Sequence, residues 1–235
     1  MENRTYKLSF EILQRLDKEG ILQNFTLVGS WCVYFYRDYF KSKAYISTIW
    51  TRDMDIAISR PVRLKKKLNM VKLFEEYGFI PEYKGDDGYL RLNHPELIVE
   101  FLVNEKGKGM DGPFKIPELN INAQPLRFIE YLITSSIRLK SRKLWLRLPH
   151  PAAYALHKFL ILDRRRDKEK SEKDLESAKR VFTAIIKKKE QEKIYKYFKL
   201  MHEKWQKKVI SNLIEKGENE IAGFLIKLKN KHTGE

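Results

Sequence analysis

Cysteine is all but missing from this chain. Cys32 stands alone, so no disulfide can form within the chain, and a reducing setting is expected. Its neighbours Trp31, Val33 and Tyr34 predict a buried, inert thiol rather than a nucleophile, since no histidine is placed beside it by the sequence. Long apolar runs are lacking too. None approaches the length of a membrane span, and the opening MENRTYKLSF has no apolar core of the kind a secretory signal carries. A cytoplasmic protein without a membrane partner is the expectation. The five histidines form no cluster with cysteine, which excludes a zinc site of the usual spacing. No segment repeats.

What the chain has is charge of one sign. Across 235 residues there are 47 Lys and Arg against 31 Asp and Glu, a formal net charge of +16. The excess is spread along the chain: 25 against 18 up to residue 150, and 22 against 13 beyond it. Such a balance favours polyanionic partners, namely RNA, DNA, nucleoside triphosphates or an acidic membrane surface; its ordinary counterpart is a Lys-rich solvated surface. Hydrophobic residues make up 43%, enough to fold around a sizeable core rather than stay disordered.

Periodicity divides the chain. Phe10, Ile12, Leu13 and Leu16 recur at near-helical spacing before Gly20, a fitting helix stop. FTLV reads as a strand, SWCVYFYRDYF as a helix after a Gly-Ser turn, and MDIAI as a strand closed by Pro61. LKKKLNMVKLFEEYG predicts an amphipathic helix. FIPEYK and GYLRLN predict two strands around the turn GDDG, and ELIVEFLV a buried strand. The Gly-, Pro- and charge-rich stretch 104–119 reads as a loop, QPLRFIEYLI as a short helix, and SIRLKSRKLWLRLP as a hairpin. Beyond Pro149 and Pro151 every pattern is helical: PAAYALHKFLILD, then SEKDLESAKRVFTAIIKKK, then two further helices. The expected class is α+β: a small mixed β-sheet domain with flanking helices over 1–148, then an all-helical domain over 149–235.

Two stretches carry chemistry. In TRDMDIAI, Asp53 and Asp55 alternate with Met54 and Ile56, so both carboxylates face one side of a strand. Like charges so placed repel unless a cation lies between them, and Mg²⁺ is suited to carboxylate and phosphate oxygens. Glu100 is a lone charge inside the apolar LIVEFLV. A strand holding it beside the Asp strand would bring three acids together, the donor set for two metal ions. In TLVGSW, Gly29 lets backbone approach a ligand closely, and Ser30 stands where a helix begins, with unpaired N–H groups and dipole suited to phosphate. Each feature alone has an ordinary reading: a turn with a Ser cap, acids on an exposed strand face, an edge-strand charge.

Taken in order, Gly29-Ser30, Asp53-x-Asp55 and the strand acid Glu100 resemble the polymerase-β-type nucleotidyltransferase superfamily. The resemblance is greater to its stand-alone GSLR-type branch, which is distantly similar to abortive-infection toxin nucleotidyltransferases. It rests also on VEFL, LPHPAAYALHKFLI and RRRDKEKSEKDLESAKRVF, and spans roughly residues 20–185. The chain departs from the branch at Trp31-Cys32, where Leu-Arg is expected, so one Arg that would touch phosphate is absent. The resemblance implies a palm-like domain and transfer of a nucleoside monophosphate from an NTP such as ATP. It implies Gly29 and Ser30 on the triphosphate; Asp53, Asp55 and Glu100 as catalytic Mg²⁺ ligands, two ions in all; and Glu100 activating the attacking hydroxyl. Lys158, Arg165 and Lys173 would meet further phosphate charge, with Asp174 orienting a lysine. The acceptor implied is RNA, tRNA in particular, a protein or a small molecule, and an antitoxin partner accompanies a toxin-like role.

The helical part has its own alternatives. Lys158 in an apolar stretch suits a snorkelling side chain, His157 a hydrogen-bonded core histidine, and Arg164 to Arg166 a solvated turn. Ser171-x-x-Asp174 resembles a helix-start capping arrangement. The rival to an enzyme is a basic nucleic-acid-binding protein, or a degenerate nucleotidyltransferase kept for binding.

Overall fold

The structure is a computed structural model, and it describes residues 2–41, 45, 51–61, 67–84, 88–105, 112–164 and 167–230. The chain divides into two units, Met1–Tyr39 with Ser47–Pro149, and Phe40–Ile46 with His150–Glu235.

The first unit opens with helix α1 (Glu2–Lys18) and a short 3₁₀ turn at Leu22–Asn24. Ile12, Leu13 and Leu16 of α1 are fully buried, and Gly20 ends the helix region at φ +73°. Then come β1 (Phe25–Val28), α2 (Trp31–Phe40), β2 (Asp53–Ile58), α3 (Met70–Glu75), β3 (Ile80–Lys84), β4 (Tyr89–Asn93) and β5 (Ile98–Asn104). β6 (Phe114–Ile116), β7 (Ile121–Leu126), α4 (Ile129–Thr134), β8 (Ser136–Ser141) and β9 (Leu144–Pro149) complete it. The sheet runs β1-β2-β5-β4-β3, with β7 also on β5 and β6 on β7. β2 and β5 are parallel and β1 is antiparallel to β2. β4 takes the first residues of β5 and β7 its last, along the same edge. β5 is therefore paired on both sides, and it is buried at every position but Glu100 and Asn104, as its near-continuous apolar sequence requires.

Two local readings are corrected. The stretch 104–119 is not all loop, because β6 falls inside it, and the helix expected over 124–133 begins only at Ile129. Gln124 to Leu126 instead pair with Leu102 to Asn104 of β5. Long-range pairing with the central strand outweighs the signal of Pro125, which sits at the register position of Val103. Helix α3 is capped by the Asn69 side chain, which accepts from the Lys72 amide. Of the amphipathic helix expected over 64–78, residues 64–66 lie outside the described residues and 67–69 are not helical, so α3 begins only at Met70.

The second unit is helical: α5 (Pro151–Leu160), a 3₁₀ turn at Leu162–Arg164, α6 (Lys168–Lys187), α7 (Gln191–Lys199), α8 (Glu203–Glu215) and α9 (Asn219–Asn230). Three helices follow α6 rather than two. α8 starts where the His202 ring accepts from the Lys204 amide, a cap that needs neither Gly nor Pro. All ten residues of α5 are buried. Its first turn combines Pro151 with a cap from His150, whose Nδ1 accepts from the Ala152 amide at 3.1 Å. Its last carbonyls, Phe159 and Leu160, accept from the Asn212 amide of α8 at 2.8 and 3.1 Å. No helix among the described residues is long and apolar enough to cross a membrane.

Candidate active site

The site is built at the ends of β1, β2, β4 and β5. β1 stops at Val28, whose register partner is Asp55. The chain then turns through Gly29 at φ +68°, a conformation that favours glycine. The turn lies directly on Asp55: a Cβ at Gly29 would overlap the Asp55 carboxylate and stand 3.1 Å from its Cγ. Helix α2 begins two residues on, with Cys32 and Val33 amides donating to the Gly29 and Ser30 carbonyls. Trp31 and Cys32 enter the core at once, and the Cys32 thiol donates to the Leu27 carbonyl at 3.4 Å. Its burial is as the sequence predicts.

Asp53 and Asp55 share a face of β2, with Met54 fully buried on the other. Parallel pairing sets Asp55 opposite Glu100 and Asp53 opposite Ile98, so Glu100 joins the same row. On the far side of β5, Arg91 is the register partner of Glu100. Its guanidinium reaches Glu100 Oε1 at 3.4 Å and Asp53 Oδ1 at 3.7 Å. The Asp53 side chain is 58% exposed, against 21% for Arg91 and 23% for Glu100. Arg91 thus offsets a row of three acids that would otherwise repel one another. Tyr89, two residues before Arg91, has its phenol pKa raised, first by burial and then by the charge of Glu100.

The donor set suits a hard divalent cation. Asp53 and Asp55 offer carboxylate oxygens from one face, and the absent Cβ at Gly29 keeps Asp55 in contact with the turn. Among the described residues no group of three or more His, Cys, Asp or Glu could hold a metal ion. Asp53, Asp55 and Glu100 thus do not meet as a ready three-carboxylate site, and the aspartate pair alone leaves the coordination of such an ion incomplete.

The helical candidates are placed differently. Lys158 and Asp174 form one buried ion pair: Lys158 Nζ donates to Asp174 Oδ1 at 2.5 Å, with the residues only 6% and 9% exposed. The lysine does not snorkel; it points into the unit. Nor does Ser171-x-x-Asp174 cap a helix. Asp167 does, accepting from the Lys170 amide, and Ser171 sits one turn inside, donating to the Leu162 carbonyl. Lys173 is exposed on the far side of α6, bonded to Glu169 at 2.5 Å, a contact that raises its pKa. Arg165 and Arg166 lie outside the described residues. Within each unit, then, the structure joins Gly29, Asp53, Asp55 and Glu100, and joins Lys158 with Asp174. Arg91 belongs to no motif in the sequence; only the alternation of GYLRLN signals that it shares a strand face with Tyr89.

A nucleotidyltransferase family model matches residues 7–201. The chain belongs to that family. Among solved structures this nucleotidyltransferase-family chain is similar to ANT(2")-Ia in complex with adenylyl-2"-tobramycin. That match has 12% identity and a TM-score of 0.44, over 76% of this chain and 92% of the other. It is similar also to the solution structure of the antibiotic-resistance factor ANT(2'')-Ia, at 12% identity and TM-score 0.42, over 86% and 100%. A third is an antigenic nucleotidyltransferase-like protein from Paracoccidioides brasiliensis, at 13% identity and TM-score 0.45, over 93% and 90%. Likenesses of this size carry no argument about substrate. No curated protein matches.

Proposed function

We propose that this chain is a Mg²⁺-dependent nucleotidyltransferase that moves a nucleoside monophosphate from an NTP to a hydroxyl of RNA, tRNA being one candidate. The observation that carries the reading is the contact of Gly29 with Asp55. It makes the phosphate turn and the metal-binding strand one structural unit, which a mere solvated acid has no need of.

Gly29, Ser30 and the start of α2 hold the triphosphate by backbone N–H groups and helix dipole. Asp53 and Asp55 hold Mg²⁺, which when bound neutralises phosphate charge and aligns the reacting oxygens. Glu100 accepts the proton of the attacking hydroxyl. The hydroxyl oxygen bonds to the α-phosphorus, the bond from that phosphorus to the α,β-bridging oxygen breaks, and pyrophosphate leaves with the electron pair. Arg91 shields Glu100 and Asp53 from one another until the nucleotide arrives. A reducing, cytoplasmic setting accords with the single buried cysteine.

A second reading has an observation of its own. Arg91 between Asp53 and Glu100 is also what a degenerate transferase kept for nucleic-acid binding would carry. Incubation with labelled NTPs and total RNA decides. Label should move to RNA only with Mg²⁺, and Asp53→Ala with Asp55→Ala should abolish it. Transfer that survives the double substitution refutes the assigned site; absence of Mg²⁺-dependent NTP binding favours the second reading. A toxin-like role with an antitoxin partner is tested separately, by growth arrest on expression that requires Asp53 and Asp55.

A further inference from the structure

Hairpin β8–β9 has two faces of opposite character. Register pairs Arg138 with Arg147, Lys140 with Trp145 and Ser136 with Pro149. On the other face Leu144, Leu146 and Leu148 are buried. The hairpin is fastened to the helices of its own unit. The Tyr36 hydroxyl of α2 donates to the Pro149 carbonyl at 2.8 Å, and the Ser141 hydroxyl to Asp38 at 2.5 Å. The Arg142 guanidinium lies 4.0 Å from the Phe10 ring centroid. What it presents outward is therefore a firm platform, on the same body as the Gly29 turn.

That platform is cationic without compensation. Residues 136–149 hold five Lys and Arg and no acid, and among the described residues none of Arg138, Lys140 and Arg147 is in an ion pair. The helical unit differs: Lys173, Lys179, Arg180, Lys207 and Lys208 are each paired with a carboxylate. Within the outward face Trp145 is 50% exposed, an unusual state for an indole. The Arg138 guanidinium lies 5.3 Å from its ring centroid. Gln23, Ser136, Ile137, Arg138, Trp145 and Arg147 line a cavity of about 370 Å³.

We infer that this face docks single-stranded RNA, with a base stacked on Trp145 and adjoining phosphates held by Arg138, Arg147 and Lys140. An exposed aromatic ring flanked by unpaired cations is the chemistry that takes an unstacked base and its backbone. A duplex hides its base faces and offers nothing to the indole. The lining's uncharged polar groups favour RNA over DNA. The Ser136 hydroxyl accepts from Arg147 at 2.9 Å and keeps its proton to donate, and the Gln23 carboxamide, whose Nε2 donates to the Gly20 carbonyl at 2.9 Å, keeps its oxygen to accept; both suit a ribose 2′-hydroxyl. The inference rests on RNA as partner and not on the transfer chemistry.

The test uses the full chain in EDTA without NTP, so that binding is read apart from catalysis. The probe is a fluorescein-labelled single-stranded RNA of about 15 nucleotides, near the upper site size of such surfaces, read by anisotropy. Trp145→Ala should weaken binding about 5- to 100-fold, and Trp145→Phe should keep most of it. Arg138→Ala with Arg147→Ala should weaken it and flatten the log–log salt dependence by about 1.4. A matched thermal midpoint excludes misfolding, since Trp145 packs with one face in water. Equal affinity of Trp145→Ala and wild type overturns the inference. So does equal binding of DNA of the same sequence, tighter binding of a duplex, or Trp145-dependent binding to anionic vesicles alone. RNA binding that depends on Trp145 without any label transfer would sink the transferase reading only. Transfer to RNA with unaltered Trp145→Ala binding would sink this one only.

Discussion

Gly29→Ala tests the closest approach in the site. Two costs add. The first is backbone: an L-residue with a Cβ at φ +68° costs about 1–2 kcal/mol. The second is collision. The new methyl would overlap the Asp55 carboxylate, which must leave its rotamer or push β1 from β2, at about 1–3 kcal/mol. Gly20 separates the two. It has φ +73°, and a Cβ there meets nothing within 4 Å, so Gly20→Ala carries the backbone cost alone. The expected loss is about 1–2 kcal/mol for Gly20→Ala and about 2–5 kcal/mol for Gly29→Ala. For a chain of this size each kcal/mol moves the thermal midpoint by about 2–4 °C. Calorimetry on both variants, with Mg²⁺–NTP titration alongside, reads the outcome. Gly29→Ala should lose nucleotide binding while Gly20→Ala keeps it. Equal midpoints for the two variants, with nucleotide binding intact, would refute the claim that the turn is seated on Asp55.

Three other expectations follow from the same geometry. Arg91→Ala should lower stability without divalent cation by about 1 kcal/mol, given its long, part-exposed contacts; Mg²⁺ should raise its thermal midpoint by more than it raises wild type's, and an equal or smaller rise counts against a cation site at Asp53 and Asp55. The His150 ring is buried, stacked on Tyr197, and held mainly by burial at a pKa of about 4 against 6.5, with Glu190 opposing and Lys193, Lys196 and Lys188 assisting. The unfolded chain then binds more protons between those values, so stability should be full above pH 6.5 and fall by about 3 kcal/mol towards pH 4; urea titrations of wild type and the non-titrating cap His150→Asn should show the slope in the first and a flatter profile in the second. Lys158→Met should cost about 3–5 kcal/mol by stranding Asp174, and Lys158→Met with Asp174→Leu should recover most of it, which chemical denaturation measures.

Legibility follows the range of the interaction. β1, β2 and β5 can be read from residues 25–28, 53–58 and 98–104 because local apolar pattern and their role in the core agree. The Gly29 turn is readable for the same reason: one residue type answers one backbone demand. β6 and β7 are not, because Gly, Pro and charge write a loop there while pairing to β5, dozens of residues away, writes a strand. Arg91 is opaque for the same cause. Nothing within GYLRLN says that β4 will lie beside β5 with Arg91 against Glu100, since register is settled by the assembled sheet. In the helical unit the start of α8 carries a weak sequence signal, because His202 caps it through a ring nitrogen, outside the usual capping residues.

The Lys158–Asp174 pair shows why a motif-like residue must be weighed by its surroundings. The stretch around Lys158 invites a phosphate ligand, yet α5 is buried along its whole length and a bare ammonium there would be prohibitively costly. Asp174 meets it at 2.5 Å, and Tyr154, whose ring centroid lies 5.8 Å from the ammonium, is tied to Ser177 of α6 at 2.6 Å. Two polar contacts thus join α5 to α6 at positions separated by about one turn, where apolar packing alone would let one helix slide on the other. A pair of this kind contributes little net stability but penalises every mispacked arrangement by leaving charges uncompensated.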